Sequence, residues 1–228
     1  MGSCCKSIRC VKNLLFLYIP HVFKNFICLE GIDGSGKSTQ IAALENLFKS
    51  KGLDVLKIRE PGGTEISEAV RKILLDPAHK GKMSDITELL LYNAARSQLL
   101  HEVVKPALEK GVAVLADRFA YSTLAYQGYG RGLNIDMIKN LLDITCGVFF
   151  PNRTFILDIE VSLSRERQQK DKSRGKADRI EQEENDFFER VARGYRTIAK
   201  ENSENCILLN AANPPEDIFK LIVTHLSS

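Results

Sequence analysis

The sequence predicts an α/β fold with a five-stranded parallel sheet that is covered by helices on both faces. Five short apolar runs are separated by segments with helical periodicity, and this alternation is typical of a doubly wound sheet. A glycine-rich segment follows the first run, at a point where such folds bind ligands. The runs span residues 26–29, 54–58, 112–116, 154–159 and 206–209. We therefore expect the segments that follow the strands to carry the chemistry.

Length and charge limit the classes of protein to which the chain can belong. A chain of 228 residues is expected to form one domain, because chains of this size usually bury a single core. Residues 1–25 contain four basic residues and no acidic one, whereas residues 26–228 contain 28 basic and 29 acidic residues. The near-neutral balance of this larger part gives no electrostatic support for a nucleic-acid partner.

The N-terminal segment, residues 1–25, has basic residues before an apolar run at 14–19 and so resembles a short targeting sequence. The run is too short to span a bilayer, Pro20 follows it, and no small-residue cleavage site precedes the first strand. We expect a loosely attached, poorly ordered extension with no membrane role; an anchor or a transit peptide is the alternative. The domain is expected to span residues 26–228.

Six cysteines are scattered along the chain without a C-x-x-C pair. Three of them lie within the first ten residues. This pattern indicates reduced thiols and a cytoplasmic location, with neither a disulfide framework nor a zinc site.

The glycine-rich segment fills the template G-x-x-x-x-G-K-[ST] of a phosphate-binding loop, or P-loop. An apolar strand precedes it, and a helical repeat of apolar residues from Ile41 to Phe48 follows it, as the motif requires. Backbone N–H groups and the helix start are expected to bind phosphate, Lys37 to reach the β- and γ-phosphates, and Ser38 to offer its hydroxyl to Mg²⁺. The predicted nucleotide-binding residues are Gly31, Ile32, Asp33, Gly34, Ser35, Gly36, Lys37, Ser38 and Thr39. The alternative is a glycine-rich turn that binds nothing, which the matching flanks disfavour.

Two helical segments follow the second strand and carry candidate binding residues. The first has apolar residues at positions 66, 70, 73 and 74, with Arg71 on its polar side. The second, from 84 to about 100, has an apolar face at positions 86, 89 and 90 and carries Tyr92 and Arg96 four residues apart. That spacing puts both on one side of the helix, where an aromatic ring and a guanidinium group can meet a planar base. The alternatives are a core position for Tyr92 and solvated positions for the two arginines.

The third strand ends in Asp117 and Arg118, opposite the glycine loop. A carboxylate at this place is expected to organise the water shell of Mg²⁺, and Arg118 to bridge donor and acceptor phosphates. The alternative is an ion pair at the strand end.

A charged segment with little apolar content spans residues 164–179, after the fourth strand. It contains four arginines around the sequence Ser-Arg-Gly at 173–175. Such a segment is either a solvated surface or a lid that closes over polyphosphate and excludes water, and we expect a short mobile lid at about 162–180. The last two helices, at about 182–201 and 216–226, have the apolar spacing of core helices and are assigned no chemistry.

Six separate motifs of the sequence resemble those of thymidylate kinases, in particular the bacterial form. They are the glycine loop at 31–39, Arg-Glu-Pro-Gly-Gly-Thr at 59–64, Tyr-Asn-Ala-Ala-Arg at 92–96, Asp-Arg-Phe at 117–119, Ser-Thr-Leu-Ala-Tyr-Gln-Gly at 122–128 and Asp-Arg-Ile-Glu at 178–181. The resemblance runs from about residue 26 to the C-terminus. It implies a P-loop NTPase fold, transfer of the γ-phosphoryl group of Mg-ATP to thymidine 5′-monophosphate in dTTP synthesis, and a homodimer.

The resemblance also implies roles for the side chains near the phosphates. Asp33 is similar to the carboxylate that approaches the sugar 3′-hydroxyl and the acceptor phosphate, and Arg71 and Arg118 resemble the arginines that hold that phosphate. The family carries its catalytic arginine either in the glycine loop or in the lid. No basic residue occupies positions 32–35, so Arg174 is the matching lid position, with the other arginines of the lid as helpers. The implied catalytic residues are Asp33, Lys37, Arg118 and Arg174.

For the base and the sugar, the resemblance implies a second group of contacts. Tyr92 is similar to the residue whose ring stacks on thymine, a position usually held by phenylalanine in this family. Arg96 resembles the residue that hydrogen-bonds a thymine carbonyl. Thr123 and Gln127 are implied along the base edge, and Tyr126 is implied to crowd the sugar 2′ position and so to disfavour ribonucleotides.

Two other functions compete with this interpretation. A kinase for another nucleoside monophosphate shares the loop, the sheet and the lid. A GTPase-type switch or regulatory ATPase shares only the loop and is disfavoured, because the chain has no N-K-x-D motif for reading guanine.

Overall fold

The computed structural model describes residues 25–171 and 175–227. Its sheet has five parallel strands in the order β2-β3-β1-β4-β5, which confirms the predicted fold class. The bounds lie within one residue of those expected from the apolar runs. The strands are β1 Phe26–Glu30, β2 Val55–Arg59, β3 Ala113–Asp117, β4 Arg153–Asp158 and β5 Cys206–Asn210.

The central strand β1 is buried along its whole length. Because successive side chains of a strand point to opposite faces, burial of all five residues means that helices cover both faces of the sheet. The register places Asp117 opposite Leu29 of β1 and Arg59 of β2. The end of β3 therefore lies between the segments that follow β1 and β2.

Nine α-helices surround the sheet within the described residues. Side chains cap the starts of three of them: Thr64, Ser84 and Asn134 each accept a hydrogen bond from a backbone N–H three residues later. Two π-helical segments, Leu100–Val104 and Leu124–Gly130, and a short 3₁₀ turn, Pro77–His79, join the helices. The helices are α1 Lys37–Ser50, α2 Glu65–Leu75, α3 Asp85–Leu99, α4 Lys105–Glu109, α5 Ala120–Thr123, α6 Ile135–Cys146, α7 Val161–Lys170, α8 Asn185–Glu201 and α9 Pro215–Ser227.

Only some of the apolar residues that recur at helical spacing on α2 and α3 are buried in the core. Leu74 of α2 and Leu89 of α3 are buried, as their spacing indicates. Four other apolar residues on these two helices, which pack against each other, are between 45% and 56% exposed: Ile66, Ile73, Ile86 and Leu90. The expected apolar face of α3 is therefore divided between the core and the surface.

The expected lid, at about 162–180, begins in a regular helix, α7, which is anchored to the glycine loop. Ser164 donates its hydroxyl hydrogen to the carbonyl oxygen of Asp33 at 2.6 Å, and the Gln168 amide donates to the same oxygen at 3.2 Å. Residues 172–174 of the expected lid and residues 1–24 of the expected N-terminal extension, 1–25, lie outside the described residues. No helix in the described ranges combines the length and apolar character needed to cross a bilayer.

Of the loop glycines, Gly31 should tolerate a side chain least, and a substitution can test this. Its φ is +132°, and a Cβ atom there would lie 2.5 Å from the carbonyl oxygen of Leu157 in β4. Gly52 also has a positive φ, +74°, but has open space around it. We expect Gly31→Ala to lower the free energy of unfolding by roughly 3 kcal/mol or more, and Gly52→Ala by about 1–2 kcal/mol.

Denaturant unfolding of the two variants measures this difference. Equal losses would show that the contact between the loop and β4 does not constrain the fold.

Candidate active site

A cleft of about 720 Å³ opens beyond the carboxyl ends of the strands. Segments that follow β1, β2, β3 and β5 line it, together with parts of α2, α3 and α7. Within the described ranges, every predicted site residue lines this cleft except Gly31 and Ile32, which are buried at the start of the loop. Arg174 lies outside the described residues.

The glycine loop leads directly into the N-terminus of α1. Gly31, Gly34 and Gly36 all have positive φ, and Gly36 is the residue before the helix. No side chain caps this end, and no acidic residue occupies the first turn. The first N–H groups of α1 and the positive end of its dipole are therefore available to an anion in the cleft.

The Lys37 ammonium group lies against the same loop. Its Nζ donates to the carbonyl oxygens of Gly31 at 3.0 Å and Ile32 at 3.2 Å, and lies 4.0 Å from Oδ1 of Asp33. Burial, followed by the charge of Arg118, lowers the pKa of Lys37. A phosphate anion beside this ammonium would offset both effects.

Arg118 faces the loop from the end of β3. Its Nη2 donates to Oδ1 of Asp33 at 2.8 Å, and its guanidinium carbon lies 5.1 Å from the centre of the Tyr126 ring. Its φ is +69°, the one positive value at a residue other than glycine in the described part of the chain. Such a backbone conformation is uncommon for a large side chain and is found mainly where a site requires it.

Glu30 holds the segment that carries Arg118, and the sequence analysis assigned it no role. Its Oε1 accepts from the backbone N–H groups of Phe119 at 2.8 Å and Ser122 at 3.1 Å. Its Oε2 accepts from the hydroxyls of Ser122 at 2.6 Å and Tyr195 at 2.9 Å. The only sequence signal was an acidic residue directly after a buried strand.

Arg96 is 1% exposed, and its guanidinium group forms part of the cleft wall. Its Nε donates to Oε2 of Glu60 at 2.8 Å, and its Nη2 forms an ion pair with the same oxygen at 2.7 Å. Its Nη1 donates to the Thr123 hydroxyl at 2.9 Å. Burial raises the pKa of Glu60 to about 7 even though Arg96 acts in the opposite sense, and Oε1 of Glu60 is buried without a hydrogen-bond partner. Glu60 could not be identified from the sequence, because it lies in the turn after β2 and its partner lies on α3, 36 residues away. Tyr92, one turn before Arg96 on α3, lines the same cleft.

Arg71 also contributes positive charge to the cleft. Its Nη1 donates to the carbonyl oxygen of Pro61 at 2.8 Å, and the Glu60–Pro61 peptide bond is cis. Burial, with the nearby charge of Arg59, lowers the pKa of Arg71. Arg71 therefore lies where its charge is poorly compensated, as suits a group that binds an anion.

The arginines of the charged segment separate into two groups. Arg167 donates to the carbonyl oxygen of Gly34 at 3.3 Å and lines the cleft. Arg165 donates to the carbonyl oxygens of Glu181 and Glu183 and stacks on the Phe188 ring at 4.4 Å. Arg179 is buried and donates to the carbonyl oxygen of Leu74. Of these three expected helpers, only Arg167 lines the cleft.

Ser38 and Asp117 both line the cleft beside the loop. Within the described ranges, no cluster of three or more His, Cys, Asp or Glu residues can hold a metal. Mg²⁺ is usually bound in proteins by one or two side-chain oxygens with waters and substrate phosphates. A hydroxyl and a carboxylate at the loop thus fit a magnesium ion that arrives with a nucleotide.

A segment after β5 was not expected to contribute to the site. Ala211, Asn213 and Pro215 line the cleft beside the loop, and Gln40 of α1 donates to the carbonyl oxygen of Pro215 at 2.9 Å. The sequence offered no motif there, because these residues contribute mainly backbone and shape.

The fold and the cleft define a nucleotide-binding protein of the P-loop class, with a pocket rich in arginine across from the loop. A family model described as thymidylate kinase matches residues 29–222. The chain therefore belongs to the thymidylate kinase family.

Similar proteins cover most of the chain. A thymidylate kinase of Geobacillus sp. (strain WCH70) is 43% identical over 198 residues, which are 87% of this chain and 93% of that protein. One from Halothermothrix orenii is 45% identical over 197 residues, with 86% and 93% covered. A crystal structure of thymidylate kinase from Ehrlichia chaffeensis matches with a TM-score of 0.72 at 32% identity, covering 90% of this chain and 99% of that one.

Proposed function

We propose that the protein transfers the γ-phosphoryl group of Mg-ATP to thymidine 5′-monophosphate and releases ADP and thymidine 5′-diphosphate, a step of dTTP synthesis. The observation that carries the proposal is a single continuous cleft. Lys37 and the loop line it, together with Tyr92, Arg96 and Arg118. Two nucleotides can therefore meet end to end across the strand ends.

On the donor side, the loop amides and the α1 N-terminus bind the triphosphate, and Lys37 contacts its β- and γ-phosphates. Ser38 and Asp117 hold Mg²⁺, which neutralises phosphate charge when it is bound. The described cysteines Cys28, Cys146 and Cys206 are free and buried, in keeping with a reducing, cytoplasmic location.

On the acceptor side, Arg71 and Arg118 hold the phosphate, and Asp33 lies near the sugar 3′-hydroxyl. Tyr92 stacks on the base, and Arg96 donates to a base carbonyl. The remaining acceptor contacts are Thr123 and Gln127 along the base edge and Tyr126 at the sugar 2′ position.

Transfer of a phosphoryl group requires little covalent chemistry from the protein. It requires the two substrates in line and positive charge around the moving group. Lys37, Arg118 and Arg174 supply that charge, and the lid keeps water from the reaction.

A panel of acceptors tests the function directly. With Mg-ATP as donor, a coupled assay of ADP release should give the highest kcat/KM for thymidine 5′-monophosphate among the thymidine, uridine, cytidine and guanosine monophosphates. A faster reaction with another monophosphate would favour the rival kinase. Hydrolysis that needs no acceptor would favour a nucleotide switch.

Replacement of Arg174 tests the lid arginine. Arg174→Ala should lower kcat by roughly 10³-fold, because an arginine that stabilises the transferred group acts mainly in the transition state. The dissociation constant for ATP should change little.

Lys170→Ala is the matched control for this substitution, since Lys170 is exposed at the end of α7 and pairs only with Glu166 in the described part of the chain. It should leave kcat unchanged. An equal kcat for Arg174→Ala and the native protein would remove Arg174 from the catalytic role.

We also propose that two copies of the chain associate through α2 and α3. Ile66 and Ile73 are seven residues apart on α2, and Ile86 and Leu90 are four apart on α3, so each pair lies on one side of its helix. A partner subunit would bury these four half-exposed apolar side chains.

Sedimentation velocity tests the assembly. The native chain should sediment as a dimer at micromolar concentration, and the double substitution Ile86→Lys with Leu90→Lys should give a monomer. Leu221→Lys serves as the control, because Leu221 is 43% exposed on α9, which packs against α1, and its replacement should leave a dimer. A native monomer, or a dimer that survives the double substitution, would contradict this interface.

A further inference from the structure

Glu88, in the first turn of α3, is a buried carboxylate that the catalytic mechanism does not use. It is 1% exposed. Its Oε1 accepts from Nε2 of Gln127 at 2.8 Å and from Nε of Arg131 at 3.2 Å. Its Oε2 accepts from Nη2 of Arg131 at 3.1 Å and lies 2.7 Å from Nη1 of Arg179. One carboxylate thus organises groups from two separate parts of the chain, the segment of Gln127 and Arg131 and the segment of Arg179.

The charge state of Glu88 determines how Gln127 is oriented. Burial acts to raise the pKa of Glu88, but hydrogen bonds and charge from Arg131, together with Gln127 and Arg179, bring it below the ordinary value. Glu88 is therefore ionised at neutral pH, and an ionised carboxylate only accepts hydrogen bonds. The amide NH₂ of Gln127, and not its oxygen, must face Glu88.

This orientation leaves the Gln127 carbonyl oxygen for the cleft. The amide is planar, so Oε1 lies on the side of the group away from the bonded Nε2. Within the described ranges, Glu88 is the only hydrogen-bond partner of the Gln127 side chain, and Gln127 lines the cleft. The wall thus presents an acceptor at Gln127. One turn earlier on the same segment, the Thr123 hydroxyl accepts a hydrogen bond from Nη1 of Arg96. The Arg96 guanidinium group thus places a donor beside this acceptor.

We propose that Glu88 is a positioning residue for base selection: it fixes the Gln127 amide so that the cleft presents an acceptor beside the donor of Arg96. The proposal rests on the proposed function, in which the base edge lies along Gln127. Thymine and uracil have an N3–H donor beside the O4 acceptor and match this arrangement. Cytosine has an N3 acceptor beside an amino donor and opposes it.

The substitution Glu88→Gln should partly reverse the arrangement. The oxygen of the introduced amide would be kept by Arg131 and Arg179 at the former Oε2 position, so the NH₂ of that amide would face Gln127. Gln127 would then turn its own oxygen toward position 88 and its NH₂ toward the cleft. Because Arg96 still opposes the cytosine amino group, preference should weaken and not invert.

The measurement is kcat/KM for thymidine and deoxycytidine 5′-monophosphates, taken as a ratio. Glu88→Gln should lower the ratio about tenfold. Arg131→Gln is the matched control, because it removes a charged partner from the same carboxylate but keeps the bond between Glu88 and Gln127. It should lower stability and leave the ratio within about twofold. Glu88→Asp keeps an acceptor-only group and should retain most of the preference.

A variant at Gln127 keeps the test decisive if Glu88→Gln does not fold. Gln127→Leu removes the acceptor and should lower the ratio to a similar extent, and the double variant should lower it no further, because both changes act through one group. An unchanged ratio in Gln127→Leu overturns the proposal, as does an unchanged ratio in a folded Glu88→Gln. A native enzyme without preference for thymidine 5′-monophosphate would instead contradict the proposed function.

Discussion

The site depends on the carboxylate of Glu30 at the end of the central strand. Four nitrogen and oxygen donors converge on it: two backbone N–H groups and the hydroxyls of Ser122 and Tyr195. These bonds tie the segment after β3 and helix α8 to β1, the strand that also leads into the glycine loop. Arg118 lies within that segment in a left-handed backbone conformation that an unsupported chain would leave. The carboxylate of Glu30 therefore fixes the position of Arg118 relative to the glycine loop.

Much of the fold could be predicted from the sequence, because strands buried on both faces read as continuous apolar runs and the loop has a specific template. The buried carboxylates that support the cleft could not be predicted. Glu30, Glu60 and Glu88 are single acidic residues whose partners lie far along the chain: Tyr195 is 165 residues from Glu30. The exposure of Ile86 and Leu90 was missed for a related reason, since helical periodicity reports an apolar face but not what covers it.

The three buried carboxylates share one arrangement. Each forms hydrogen bonds that hold a cleft residue in place. Glu30 binds the segment that carries Arg118, Glu60 binds the guanidinium group of Arg96, and Glu88 binds the amide of Gln127. A cleft that binds several phosphates needs concentrated positive charge, and that charge is costly in a folded chain without anions near it. Carboxylates beneath the cleft surface reduce this cost. They also immobilise the hydrogen-bond donors of the cleft, so that these side chains need to move little when a ligand binds.

The charged segment after β4 is fixed at both ends, to opposite sides of the cleft. Ser164 and Gln168 of α7 donate to the carbonyl oxygen of Asp33 in the loop. At its far end, Arg179 donates to the carbonyl oxygen of Leu74 in α2 and pairs with Glu88 in α3. The arginines at these ends are therefore partly structural, which explains why Arg165 and Arg179 do not line the cleft. The two ends of the segment therefore join the glycine loop to the helices that carry Arg71 and Arg96, and so connect the walls of the cleft to each other.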